Sequence, residues 1–241
     1  MKRTFLLFTA LIALAACGGN AQQEAASEAQ PEPMAAMSAP SALNISIKGS
    51  IDHTNYKGGV ESEITFSHFP KSVKEFEEAL QQLGGEPQGA VVLQLMAMEL
   101  YRNNQPEGEK CLEMINTPTN KPSVISRLKE LFVRKDPGYN RPYLVATFMQ
   151  GSSPMNGYNP TKPYKVRVRT HPVNPYQKSQ MLKGWVLELQ VQSSGYDTQW
   201  RGCSVVKTKG DTHYRVSNCP SMYIQCKEIS WETDDEFKGL D

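Results

Sequence analysis

Residues Tyr164 to Thr170 read YKVRVRT, with apolar Tyr164, Val166 and Val168 alternating with basic Lys165, Arg167 and Arg169. A period of two sends the first set to one side of a strand and the second to the other, which predicts a strand with one dry and one wet face. The stretch that follows it, GWVLELQVQ, alternates Trp185, Leu187, Leu189 and Val191 with Val186, Glu188, Gln190 and Gln192. WRGCSVVKT, THYRVSN and MYIQCKEI come next at short intervals, separated by Gly, Asn or Pro, the spacing of an antiparallel meander. Upstream, LNISIKGSI and SEITFSHF supply two further strand segments.

Before Pro137 the period is helical. Ser72-Val73-Lys74-Glu75 fits a capping box, Val73, Phe76, Leu80 and Leu83 then share one face, and Gly84-Gly85 predicts a C-terminal cap. A second helix opens with Pro87 in its first turn and is apolar almost all the way round, which marks it as central and buried. PEGEKCLEMIN predicts a third helix. PSVISRLKELFV predicts a fourth, with Val124, Ile125, Leu128, Leu131 and Phe132 facing inward. Helices followed by strands, rather than alternating with them, predict an α+β fold: about four helices layered on a C-terminal antiparallel meander. The single domain spans residues 43–241, with its helical part at about 70–135 and its strand-rich part at about 140–230.

The start of the chain has a different character. Met1-Lys2-Arg3 is positive, and Phe5 to Ala16 is uncharged and largely apolar. The run from Thr4 to Ala16 is 13 residues long, whereas a bilayer-spanning helix needs about 20. Residues 1–16 therefore predict a signal peptide. Leu14-Ala15-Ala16-Cys17 resembles the bacterial lipobox, which implies that Cys17 receives a diacylglyceryl thioether, becomes the new N-terminus and is then N-acylated with a chain such as palmitate. One acyl chain holds a protein only marginally, and two or three anchor it stably. Gly18, in place of Asp at the second mature position, resembles the outer-membrane sorting class. Residues 17–42, the lipidated cysteine and an Ala-, Gln-, Glu-, Ser- and Pro-rich run with no aromatic or β-branched residue, predict a disordered tether.

Of 26 basic residues, Lys2 and Arg3 belong to the leader; of 25 acidic ones, Glu24, Glu28 and Glu32 belong to the tether. The remaining domain is thus close to neutral, which argues against nucleic acid as a partner. Its four cysteines, Cys111, Cys203, Cys219 and Cys226, sit in a chain predicted to be exported, where disulfides persist. Cys203 and Cys219 face each other if the strands around KTKGDTH form a hairpin, which favours that pair over the other pairings.

Familiar catalytic constellations are missing from the sequence. Ser126-Arg127-Leu128-Lys129 matches S-x-x-K, but the companion K-T-G and S-D-N motifs are absent, and an amphipathic helix accounts for the match. His53, His68, His171 and His213 are scattered without metal-ligand spacing, so neither metal nor cofactor is expected. Between Pro137 and Leu187 there is no Asp or Glu, while Arg141, Lys162, Lys165, Arg167, Arg169, Lys178 and Lys183 occur with seven aromatics. The row Lys165, Arg167 and Arg169 would concentrate positive charge suited to phosphate, carboxylate or anionic glycan. A solvated strand face, balanced by acids from elsewhere, is the competing explanation. Tyr158, in the turn-forming GSSPMNGYNP, offers either a stacking ring for a ligand or a packing residue of the loop.

Taken in order, ITFSHFPKSVKEFEEAL, PQGAVVLQLMAMELY, GEKCLEMIN, GSSPMNGYNPTKPYKVRVRTHP and LELQVQSSGYDTQWRGCSVVKTKGDTHYRV resemble a family of bacterial exported proteins catalogued only as a domain of unknown function. The resemblance implies a helical half, an Asn-Gly-Tyr-x-Pro loop (Asn156, Gly157, Tyr158, Pro160) and a strand-rich half; it brings no catalytic residues. These readings together predict a non-enzymatic lipoprotein of the outer membrane, facing a ligand, an envelope protein or an anionic glycan, or serving envelope assembly. The alternative is a cell-envelope enzyme acting on peptidoglycan or glycan.

Overall fold

The computed structural model describes residues 42–52, 56–135, 138–182 and 184–230. The chain divides into two units, residues 1–41, which lie outside the described residues, and residues 42–241. Predictions for the leader, Cys17, most of the tether and His53 therefore fall outside the described structure.

Among the described residues, four α-helices and seven strands make up the folded unit: β1 (Ile45–Lys48), β2 (Glu61–Phe66), α1 (Val73–Leu83), α2 (Pro87–Asn103), α3 (Gln105–Ile115), α4 (Lys121–Leu128), β3 (Tyr164–Thr170), β4 (Tyr176–Ser179), β5 (Gly184–Gln192), β6 (Trp200–Val206) and β7 (Arg215–Asn218). The fold is α+β. The strands form one antiparallel sheet in the order β1-β2-β3-β5-β6-β7, and β4 pairs with β5 beyond the end of β3. Because β2 precedes the helices and β3 follows them, the whole helical layer is a connection between two neighbouring strands.

Local chemistry accounts for the helices. The Ser72 hydroxyl accepts from the Glu75 amide, 3.3 Å, while the Glu75 carboxylate accepts from the Lys71 amide, 2.8 Å, one residue earlier than the expected box partner. Gly84 follows α1 with a right-handed backbone, φ −65°, so it is not the left-handed cap that its sequence suggests. Space explains this glycine: a Cβ there would lie 2.6 Å from the Leu80 carbonyl oxygen and 2.8 Å from His213 Cβ. Helix α2 is buried along almost its whole length and touches β2, β3, β5, β6 and β7, as its all-round apolar surface requires. Helix α4 stops at Leu128, short of the predicted end, and continues as a wider π turn over Lys129–Val133. Leu131 still turns inward, and its carbonyl accepts from the Arg141 amide, 2.8 Å.

The dry face of the sheet carries Ile64 and Phe66, Val166 and Val168, Leu189 and Val191, and Cys203 and Val205, all buried against the helices. Two predicted features differ. Strand β4 was not anticipated, because YQKS is polar and short; it exists by pairing with β5, Tyr176 opposite Leu187 and Lys178 opposite Trp185. The segment MYIQCKEI is not a strand. It follows a 3-10 turn over Pro220–Met222, and its buried residues, Met222, Tyr223, Cys226 and Ile229, do not alternate. Side chains and loops hold it in place of a ladder: Tyr196 donates to the Ile224 carbonyl at 2.9 Å, and the Lys227 amide donates to Gly195 at 2.8 Å.

Candidate functional site

Outward-facing residues of β2, β3 and β5 make a polar sheet face. The register places Glu61 opposite Arg169, Glu63 opposite Arg167 and Thr65 opposite Lys165. The predicted basic row is therefore real as a row, with acids from another strand alongside it. Arg167 donates through Nη2 to Glu61, and Nη1 lies 3.4 Å from Gln192 Oε1. Arg169 donates through Nε to Gln190, 2.8 Å, and its guanidinium covers the Trp200 ring at 4.0 Å. Lys165 is exposed and has no ion pair among the described residues. Among the described residues, then, Lys165 has no acidic partner, Arg167 is paired on the surface, and Arg169 is committed to its neighbours.

Arg167 stands between two depressions. On one side, a pocket of about 340 Å³ is lined by Gln150, Ser152, Arg167, Gln192, Ser194 and Gln199, among others. On the other, a depression of about 440 Å³ is lined by Lys48, Gly49, Glu61, Ser62, Glu63 and Arg167. The Thr147–Ser152 segment that walls the first pocket is anchored to the end of β5: Ser193 donates to Thr147 Oγ1, 2.9 Å, and Thr147 donates to the Leu144 carbonyl, 2.8 Å. Gln150 reaches back to β2, donating to Glu63 at 2.9 Å. Ser152 is buried, and its hydroxyl finds no partner among the described residues.

Tyr158 is placed elsewhere. It is only 3% exposed, its ring stacks on Tyr143 at 5.0 Å, and its hydroxyl donates to the Lys227 carbonyl, 3.0 Å. With one ring face on Tyr143 and almost none of the residue exposed, Tyr158 acts as a packing residue of the loop. Asn156 organises the loop: its Oδ1 accepts from the Ser153 amide, 2.9 Å, and its Nδ2 donates to the Gly151 carbonyl, 2.7 Å. Gly157 then takes φ +66° and Tyr158 φ +52°, which turns the tyrosine inward. Arg141 likewise leaves the surface, donating to the Cys226 carbonyl, 3.2 Å, and to Glu228, 2.6 Å.

The four cysteines among the described residues are buried free thiols in the structure. Burial pushes the Cys111 and Cys226 thiols up to about 12 each, so neither is a nucleophile at neutral pH. Cys203 and Cys219 lie across the β6–β7 hairpin from each other, beside Tyr223. Two of the histidines serve local structure: His171 Nδ1 accepts from the Asn174 amide, 3.0 Å, and His213 Nε2 donates to the Met114 carbonyl, 2.9 Å. Among the described residues, no three His, Cys, Asp or Glu side chains are grouped to hold a metal, and no helix is long and apolar enough to cross a membrane.

A family model for a domain of unknown function, DUF6935, matches residues 68–230, well over half of the chain. The chain belongs to this family. The DUF6935 match takes in α1 to α4 and β3 to β7 but begins after β2. Arg167 and the first pocket are therefore inside it, while Glu61, the carboxylate now on Arg167, is outside. No curated protein and no solved structure matches the chain.

The sequence missed Glu61 and Glu63 as partners of the basic row. Their signal is the alternation of Glu61, Glu63 and Thr65 with Ser62, Ile64 and Phe66, which becomes informative only once β2 is known to lie beside β3.

Proposed function

We propose that the protein is a bacterial envelope lipoprotein, held at the outer membrane through acylated Cys17, whose polar sheet face binds a carboxylate-bearing glycan. The anchoring half of this reading is supported by the sequence: a positive start, an apolar run too short to span, small residues directly before Cys17, and a long polar run after it.

The binding half is carried by one observation, the position of Arg167 at the rim shared by two depressions with a carboxylate already on its guanidinium. Arg167 and Glu61 have side chains 38% and 45% exposed. An ion pair this open contributes only about 0–1 kcal/mol, so a ligand carboxylate can displace Glu61 at little cost. Lys165 adds an exposed positive charge on the same face, and Gln150, Gln192 and Gln199 present amides that hydrogen-bond sugar hydroxyls.

Two experiments test the halves separately. Cys17→Ser should move the protein from the membrane fraction to the soluble fraction; undiminished membrane retention removes the anchor. The wild-type protein should be retarded on immobilised polygalacturonate and not on uncharged dextran, and Lys165→Ala/Arg167→Ala should lose that retardation. Equal elution of wild type and variant rejects the site.

A further inference from the structure

The β6–β7 hairpin brings two thiols together in the core. Ser204 pairs with Asn218, so the next antiparallel position sets Cys203 opposite Cys219. Both are buried, 1% and 0% exposed, and both side chains belong to the dry face under α2. The Cys203 thiol is pushed well above its ordinary value, first by a hydrogen bond to Cys219 and then by burial, in keeping with the register that sets the two residues opposite each other. Cys111 lies on α3, and Cys226 lies beside Gly195 in the irregular C-terminal segment; neither is part of this hairpin.

A chain of side-chain donors runs into the same sulfur. Asn120 donates to Asn116 Oδ1, 2.8 Å; Asn116 donates to Gln94 Oε1, 2.8 Å; Gln94 donates to the Tyr223 hydroxyl, 2.9 Å; and Tyr223 contacts Cys219 Sγ. The Tyr223 oxygen accepts from Gln94, and its own proton can be given to Cys219 Sγ. A disulfide sulfur accepts that hydrogen bond as a thiol sulfur does, so joining the pair leaves no member of the chain unsatisfied.

We propose that Cys203 and Cys219 are the pair that oxidises, giving a cross-strand disulfide that closes the β6–β7 hairpin. The inference rests on the envelope location proposed above for its oxidant, the disulfide of a thiol–disulfide oxidoreductase. One cysteine thiolate attacks a sulfur of that disulfide to give a mixed disulfide, and the other displaces it. The products are the Cys203–Cys219 bond and the oxidoreductase dithiol, with two electrons passing to the oxidoreductase and the two cysteine protons balancing its new thiols. Full burial of both sulfurs requires this exchange to precede docking of the hairpin under α2.

The test needs no substitution. Reduced, unfolded protein is refolded in oxidised and reduced glutathione, then denatured with an alkylating agent and digested. Cys203 and Cys219 should escape alkylation and their peptides should be joined, while Cys111 and Cys226 are alkylated. Alkylation of both Cys203 and Cys219, or joining of either to Cys111 or Cys226, overturns the proposal. The same alkylation of protein drawn from its native envelope should give the joined peptides again. A pair joined on refolding but free in the native protein supports the pairing and rejects the oxidising location.

Discussion

Gln94, midway along α2, donates through Nε2 to the hydroxyl of Tyr223, 129 residues further on, at 2.9 Å. In a helix that is otherwise apolar on every side, this amide is one of two buried polar side chains, and it is fully enclosed. Its carbonyl accepts from Asn116, so one residue fastens the central helix both to the end of α3 and to the segment after β7. Replacing it with leucine keeps the volume but takes the Gln94 acceptor from Asn116 Nδ2, which retains the Leu112 carbonyl, and the Gln94 donor from the Tyr223 oxygen. Gln94→Leu should lower stability by about 1–3 kcal/mol in urea unfolding. Gln82→Leu, on the exposed side of α1, should change it by less than about 0.5 kcal/mol.

Helix α3 packs tightly on α2 at Gly108. A Cβ there would fall 2.1 Å from Tyr101 Cα, a backbone atom that cannot swing aside. Gly108→Ala should therefore force the helices apart and cost about 1–3 kcal/mol by overpacking. Gly85→Ala, with no atom within 4 Å of the added carbon, should be nearly neutral in the same measurement.

Arg141 holds the C-terminal segment from behind, with donors to the Cys226 carbonyl and the Glu228 carboxylate. Arg141→Met retains the apolar stem and removes these bonds. Limited proteolysis should then cut within residues 224–230 faster than in the wild type, with the sheet and helices protected as before. Unchanged cutting there would show that the Tyr196 and Tyr158 hydroxyls suffice to hold the segment.

Several tyrosines set an alkaline limit. Burial is the largest cause raising Tyr158, Tyr196 and Tyr223 above their ordinary value, which is about 10. With the folded-state value the higher of the two, their contribution is fully present below about pH 10. It is lost as pH rises further, because the unfolded chain gives up these protons first. Absorbance of phenolate should therefore lag behind that of free tyrosine and rise together with loss of near-ultraviolet circular dichroism. Ionisation of all tyrosines at their ordinary value, with the fold intact, would contradict this.

Regular elements were legible wherever one periodicity ran long enough. Val166 and Val168, Leu187 to Val191, and the capped helix after Ser72 are each determined by local pattern and burial together. β4 was illegible because Tyr176-Gln177-Lys178-Ser179 has no apolar alternation of its own and is a strand only through β5. Met222 to Ile229 misled because Tyr and Ile favour strands, while their neighbours anchor them by side-chain bonds to Arg141, Tyr158 and Tyr196. At the site, the side of the strand carrying Lys165, Arg167 and Arg169 was readable from alternation, and the Cys203–Cys219 opposition from the hairpin. The charge balance was not, since it depends on Glu61 and Glu63 arriving from a strand separated by the entire helical layer. Tyr158 could not be assigned to packing because the turn that inverts it lies in two successive positive φ values.

That separation of β2 from β3 has a consequence for how the molecule is made. Arg167 meets Glu61 across 106 residues, so closing the sheet is a high contact-order event and slow by nature. As the nascent chain emerges, β1 and β2 form a lone hairpin, too small to persist by itself, and α2 has no sheet on which to lie. Any product truncated before Thr170 is left with an apolar helix and an open strand edge, so interrupted synthesis should yield aggregates rather than a smaller folded protein.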